Sequence, residues 1–327
     1  MRIDAAYSEF LSSDGPLRYL VQKLDEMKAF RAVPPVAELL AQAASMASAD
    51  DQDGIDAAIR TFIAQDTGFV LEAIKRWIRE AAEDDKRLPP FRDAIEYDEG
   101  LFHNVNIIKR DGIGLTVSSI SDRELAVSRA RGEGTRVVFS GQRVFFKFLK
   151  ADDIALTIWE CDPFDDASEF ATLRCRSARE IRVSAGDTLE IDGSRQSLSF
   201  GNCEQVAVFL QVENLTRDLG TSIAFDRDSG DFRETYPTNR TALRRMVMCS
   251  ALKHLGAHAR LRQLPAAARE GPFYLRWHFV RETVAAAPDA SIDLLTAVAE
   301  RDASPTVRRA AKATLKVLAN RRTQHVA

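Results

Sequence analysis

After Pro89-Pro90 the apolar residues of this chain change period, from helical spacing to alternation, and the alternation recurs in short runs up to Tyr236. Few folds accept such a pattern. Runs with a period of two cover residues 105–108, 114–120, 135–139, 142–149, 154–160, 180–183, 188–192, 196–200 and 205–213. Arg110-Asp111-Gly112, Ser140-Gly141 and Ala151-Asp152-Asp153 separate successive runs with residues that tolerate tight turns. Short strands joined this way build sandwiches, jelly rolls or barrels, because a parallel sheet needs crossover helices between its strands. One helix-like interruption, Asp122 to Ala130, is inserted between strands. A hairpin around Asp228-Ser229-Gly230, with strands at 221–225 and 231–236, closes the segment.

Helical spacing governs both flanks. Leu17, Leu20, Val21 and Leu24 follow Ser13-Asp14-Gly15-Pro16, a helix start with proline in the first turn. Pro34-Pro35 opens a second helix with Val36, Leu39 and Leu40; Ile55, Ile59, Phe62 and Ile63 mark a third. Val70, Leu71, Ile74, Trp77 and Ile78 form the strongest stripe. Helix returns after Pro237-Thr238-Asn239. A chain of 327 residues has room for two or three packed units. The expected fold class is therefore α+β: a helical bundle over residues 1–90, an antiparallel β-barrel or jelly roll over 91–236, and a helical region over 237–327.

Charge narrows the partners. The formal net charge is -3, which gives no global reason to expect nucleic acid. Arg240, Arg244, Arg245, Lys253, Arg308, Arg309 and Lys312 make the last region locally basic. That reads as a solvated face balanced by acidic loops such as Glu160 to Asp166, so nucleic acid is not an expected partner. No apolar run approaches the roughly 20 residues a membrane span needs, and the first residues lack the basic-then-apolar pattern of a secretory signal. A cytoplasmic protein with no membrane partner is expected. Cys161, Cys175, Cys203 and Cys249 are scattered with no C-x-x-C pair, which predicts reduced thiols rather than a disulfide framework.

Two stretches carry resemblances. Ala185-Gly186-Asp187-Thr188-Leu189-Glu190-Ile191-Asp192-Gly193, followed by Gln196 to Phe200, reads as two strands joined by an Asp-Gly turn. It resembles the second half of a cupin barrel, in which a Gly-Asp pair opens a strand and a turn presents a metal-binding histidine. In this chain Asp192 holds the proline position, Gln196 or Ser197 the histidine position and Gly201 the asparagine position. The region 135–160, where the cupin first motif would place His-x-His and a glutamate, contains no histidine. The resemblance thus implies a cupin-like barrel without the usual metal, and neither metal nor other cofactor is expected. Asp302-Ala303-Ser304-Pro305-Thr306-Val307-Arg308-Arg309 and the following Ala-Ala and Leu315 resemble the second half of a HEAT-type repeat. Residues 292–301 would be its first half, with Arg308 holding the turn through Asp302.

The candidate ligand-binding residues within the barrel are Lys147, Trp159, Glu160, Gln196 and Gln211, polar or aromatic groups inside apolar strands. Lys147, between Phe146 and Phe148, also fits the solvent face of an alternating strand, and Trp159 fits the core. Glu160 with Lys147 would be the acid/base pair of an enzyme, an arrangement that no spacing rule demands. His254-x-x-x-His258 has the spacing of many zinc sites, but Leu255 replaces the catalytic glutamate and no third ligand is evident. His103 has no recognisable partner, and His278 reads as helix packing. No nucleophile elbow, P-loop or dinucleotide fingerprint occurs. The leading expectation is a non-enzymatic accessory or regulatory protein that binds a small ligand or peptide in the barrel. Its helical regions would serve a protein partner or a homodimer. The alternative is a cupin-like isomerase, lyase or hydroxylase with a non-standard site.

Overall fold

A computed structural model describes residues 15–83, 97–98, 102–130, 135–201, 205–257 and 271–326. Among the described residues four helices come first: α1 (Gly15–Arg31), α2 (Pro34–Ser48), α3 (Gln52–Ala64) and α4 (Gly68–Glu83). Strands β1 (Tyr97–Asp98), β2 (Phe102–Arg110) and β3 (Ile113–Ile120) lead to α5 (Asp122–Ala130). Strands β4 (Arg136–Phe139), β5 (Arg143–Lys150), β6 (Ile154–Cys161), β7 (Cys175–Val183), β8 (Thr188–Asp192) and β9 (Gln196–Phe200) follow. The β region ends with β10 (Ala207–Asn214), β11 (Thr221–Asp226) and β12 (Phe232–Pro237). Helices α6 (Arg240–His254), α7 (Phe273–Ala286), α8 (Ile292–Arg301) and α9 (Pro305–Val326) complete the chain. No described helix is long and apolar enough to cross a membrane.

All the strand pairs are antiparallel, in three sheets: β1-β2-β3-β10-β5-β8, β12-β11-β4 and β7-β6-β9. Among the described residues these sheets do not close into the expected barrel. Closure would have to join edge strands, and among the described residues no backbone ladder joins β8, β9 and β4, each an edge of its sheet. Between β4 and β9 the link runs through a side chain, Ser197 Oγ donating to the Val138 carbonyl.

The six-stranded sheet is covered on both faces. Phe145, Val117, Leu115, Leu210 and Val212 point to one side, into a core shared with Val36, Leu39, Ile55, Ile59 and Phe62 of the helices. Phe146, Phe148, Phe209 and Ile191 point to the other, against Leu156, Ile158, Val183 and Phe200 of β6, β7 and β9. The three-stranded sheet β7-β6-β9 is itself two-sided. Its reverse face, with Trp159, Cys161 and Cys175, packs on Val137, Phe139, Ile223 and Phe225 of β4 and β11, and on Phe273 and Val307 of the last helices. The opening stripe differs from expectation: Val21 and Leu24 are exposed, while the side chains of Leu17 and Leu20 lie outside the described residues. α1 instead contributes Phe30, whose ring meets Trp77 of α4 at 5.5 Å.

Polar side chains fasten these layers. Asp56 of α3, 1% exposed, pairs with Arg143 of β5 at 2.9 Å and with Arg217 at 3.0 Å, and accepts from Asn214 Nδ2 at 2.7 Å. Arg60 grips Glu190 of β8 through two hydrogen bonds of 2.8 and 2.9 Å. At the other end Arg276 of α7 donates to both oxygens of Asp302, at 3.1 and 2.8 Å, and to Asp166 at 2.6 Å. Asp166 also accepts from the Phe273 amide at 2.6 Å, satisfying a donor that the helix start leaves open. The Glu160–Asp166 loop is therefore an anchor for α7 rather than only a solvated loop. Arg308 donates to the Asp302 carbonyl at 2.6 Å and to that of Ala303 at 3.0 Å.

Candidate functional site

Antiparallel register sets side chains from successive strands in rows. On the face of the six-stranded sheet turned away from the helices, Lys109, Gly114, Glu213, Val144 and Ile191 form one row across β2, β3, β10, β5 and β8. Asn106, Thr116, Gln211, Phe146 and Leu189 form the next. Asn104, Ser118, Phe209 and Phe148 form a third. Each row has a polar side chain on β2 and an apolar one on β5; on β3 the rows carry Gly114, Thr116 and Ser118. The apolar ends meet β6, β7 and β9; the polar ends gather amide, hydroxyl and carboxyl groups.

A bulge in β2 aims these groups. Ile107 and Ile108 both turn into the helix-side core, and the pairing slips between Asn106 and Ile108. Asn104 and Asn106 thus share the inner face with the odd-numbered Lys109 beyond the bulge. Thr116 Oγ1 donates to Asn106 Oδ1 at 2.6 Å. In the next row Ser118 is fully buried and its Oγ has no hydrogen-bond partner; Asn104 Oδ1, on the residue opposite it, is also buried without one. Native interiors satisfy nearly all such atoms. Two of them stand opposite each other across a strand pair, leaving hydrogen-bonding capacity on this face that the chain itself does not use.

Glu213 adds a carboxyl. Its Oε2 lies over Gly114, where a Cβ would stand 2.8 Å away, so any other residue there would displace the carboxyl from this position. Burial pushes the Glu213 carboxyl above its usual range, opposed by Lys109 and reinforced by Asp218. A carboxyl shifted this way holds a proton more readily and can both donate and accept.

Of the residues singled out from the sequence, Gln211 lies within these rows. Glu160 and Gln196 have the parity of Ile158 and Leu198, on the side of β6 and β9 that faces the six-stranded sheet. They meet through Gln196 Nε2 donating to Glu160 Oε1 at 3.4 Å. The β8–β9 turn carries the chain from Ile191 to Gln196, so this pair sits at the end of the sandwich marked by the Glu213 row. Lys147 is elsewhere. It alternates with Phe145 and Leu149 on the helix side of the sheet, because inward positions of β5 are the even-numbered phenylalanines. That puts Lys147 on the face of the six-stranded sheet opposite to the one Glu160 approaches, so the two do not form an acid/base pair across the sandwich. Trp159 also points away, into the core beneath β4 and β11. Its Nε1 donates to Ser199 Oγ at 2.9 Å, and Arg227 lies over its ring at 5.8 Å.

Of the five histidines, His254 and His278 have described side chains. His278 is buried in helix packing: its Nε2 lies 3.1 Å from Ser250 Oγ and 3.0 Å from the Met246 carbonyl. Burial, then Arg281, pulls its pKa below the ordinary value. His254 is exposed near the end of α6. His258 and the side chain of His103 lie outside the described residues. No group of three or more His, Cys, Asp or Glu suited to a metal ion occurs among the described residues.

Asn104, Asn106, Thr116, Ser118 and Glu213 were not legible as site residues. In sequence they are the polar positions of alternating strands, normally the wet face. The usable signal is indirect: a chain with helices enough to cover one face of its sheet turns the other face inward.

No family model matches the chain, and no curated protein matches it. Solved structures match in part. The DMSP lyase DddQ from Ruegeria pomeroyi is 8% identical over 35% of this chain and 47% of its own length, with a TM-score of 0.23. The Clostridium difficile EutQ protein is 11% identical over 38% of this chain and 79% of that one, TM-score 0.23. Ectoine synthase from P. lautus is 11% identical over 38% and 72%, TM-score 0.23. The chain thus spans about half the length of the lyase.

Proposed function

We propose that this chain is a non-enzymatic ligand-binding protein. A metal-free, cupin-like sandwich takes a small neutral polar molecule or a peptide against the polar rows of its six-stranded sheet. The observation that carries this reading is the facing pair of buried, unpartnered oxygens on Asn104 and Ser118. Beside them stand the Thr116–Asn106 bond, the Gln211 amide and a carboxyl held toward its neutral form. Such groups suit hydroxyl and amide ligands. A strongly anionic ligand would meet only Lys109 as a cation in these rows. The strand order β3-β10-β5-β8 and the apolar interior behind it support the cupin-like reading.

The helical parts serve a protein partner in this reading. Support comes from Val247 and Met248 in the middle of α6, exposed by 70% and 66%, and from Leu255 just past its end, exposed by 81%. The HEAT-like reading of α8 and α9 is supported by Pro305 opening α9 and by Arg308 closing the Asp302 turn.

The test is direct. Natively purified protein is denatured and the released small molecules are identified by mass spectrometry. The compound found is then titrated against folded protein with thermal unfolding as readout. It should raise the midpoint of the wild type and leave Asn104→Ala/Ser118→Ala unmoved. An empty extract, with no stabilisation by a panel of polyols, amides and short peptides, would overturn the reading. A cupin-like enzyme is the second reading, favoured by one observation: a half-buried carboxyl such as Glu213, held toward its protonated form, can deliver a proton. Loss of turnover of the bound compound in Glu213→Gln, with affinity kept, would select it.

A further inference from the structure

We propose that Cys161 and Cys175 are a built site for one cross-strand disulfide. They end β6 and begin β7, and the register sets them directly opposite each other. In an antiparallel ladder, directly opposed residues exchange both backbone hydrogen bonds or neither. The Cys161 amide donates outward to the Arg195 carbonyl at 3.0 Å, and the Cys175 amide outward to that of Gly230 at 2.9 Å. The pair is therefore the non-hydrogen-bonded kind, whose Cα atoms stand about 4.5 Å apart with side chains close. That separation lies within the range of about 4.4–6.8 Å that a disulfide spans. Both thiols are buried in the same core, under Trp159, Phe164 and Phe170.

Both cysteines are free in this structure. Burial pushes the Cys161 thiol up to about 12, with the neighbouring Cys175 adding to it, and the Cys175 thiol up to about 11. Since the thiolate is the nucleophile, the pair is slow to react at neutral pH and rests reduced. A low-molecular-weight disulfide supplies the oxidant. One cysteine thiolate attacks it, forming a mixed disulfide and expelling a thiolate. The second cysteine thiolate then attacks the mixed disulfide at the protein sulfur and expels the other half. Two protein thiols are oxidised to one S–S bond, the reagent is reduced to two thiols, and the two protons pass from the cysteines to the released thiolates.

Closure would tie off the loop 162–174, which carries Asp166 and Phe170. Asp166 holds Arg276 and the Phe273 amide, and Phe170 packs on Phe273 at 5.1 Å. Oxidation thus secures the seat of α7.

Full-length protein is treated with oxidised glutathione at mildly alkaline pH, quenched in acid, denatured, alkylated and mapped without reduction. A Cys161–Cys175 linked peptide should appear, and titratable thiols should fall from the four of the sequence by two. Cleavage within 162–174 should leave fragments that separate only after dithiothreitol. The rate should rise roughly tenfold per pH unit below the thiol pKa. Cys249→Ser should behave as wild type, and Cys161→Ser should leave Cys175 as a stable glutathione adduct. Adducts without closure in the wild type, pairing with Cys203 or Cys249 instead, or thiols unchanged after an exposure that oxidises dithiothreitol would each overturn the proposal. The wild-type map decides even where a variant fails to fold.

Discussion

Ser118 carries a hydroxyl into an environment that gives it nothing. An unpaired buried polar group costs about 1–3 kcal/mol. Ser118→Ala should therefore match or exceed the wild type in urea unfolding while losing the bound compound. A change that strengthens the fold and weakens binding marks a residue retained for the ligand. Glu213 makes a sharper case, because its folded pKa lies above the ordinary 4.5. As pH rises from 4.5 toward the folded value, the unfolded chain gives up its proton first, so the native state loses stability. Below 4.5 both states are protonated and the difference vanishes. Glu213→Gln should remove this slope and be the more stable protein at neutral pH, as unfolding at a series of pH values will show. Equal slopes in the two proteins would rule out this role for the carboxyl.

At the scale of elements, α3 is held to the sheet by Asp56, whose partners Arg143, Arg217 and Asn214 come from β5, the β10–β11 connection and the end of β10. Breaking a buried pair on one side leaves uncompensated charge and costs about 3–5 kcal/mol. Asp56→Ala should lower the urea midpoint by a corresponding amount and leave α7 unaffected in hydrogen exchange. The elements themselves were largely legible. Alternation placed β8 and β9 at their observed limits and α5 at its own, because turn residues and period act locally. The first half of β7 was missed, since Arg176 to Glu180 is exposed throughout and has no apolar face to alternate. Lys147 was misplaced for the converse reason: parity within β5 says that neighbours face opposite ways, but not which way is in.

At the scale of the molecule, helices, six-stranded sheet and the remaining strands are stacked so that the apolar residues of β3, β10 and β5 are buried on both sides of the sheet. Removing residues 1–83 would bare Phe145, Leu115, Leu210 and Val212, each covering worth about 1.5–3 kcal/mol. The chain from Tyr97 onward should aggregate or bind a hydrophobic dye strongly; a soluble, cooperatively unfolding fragment would show that the helices are dispensable. The Phe145-Phe146 doublet constrains how such a chain can change. Its two rings belong to different cores, so β5 is written in a frame of two. A single inserted or deleted residue would exchange the frame, turning Lys147 toward the ligand face and the inner rings toward the helices. Relatives of this chain should therefore vary β5 by replacement, and change length only in the turns at Ser140-Gly141 and 151–153.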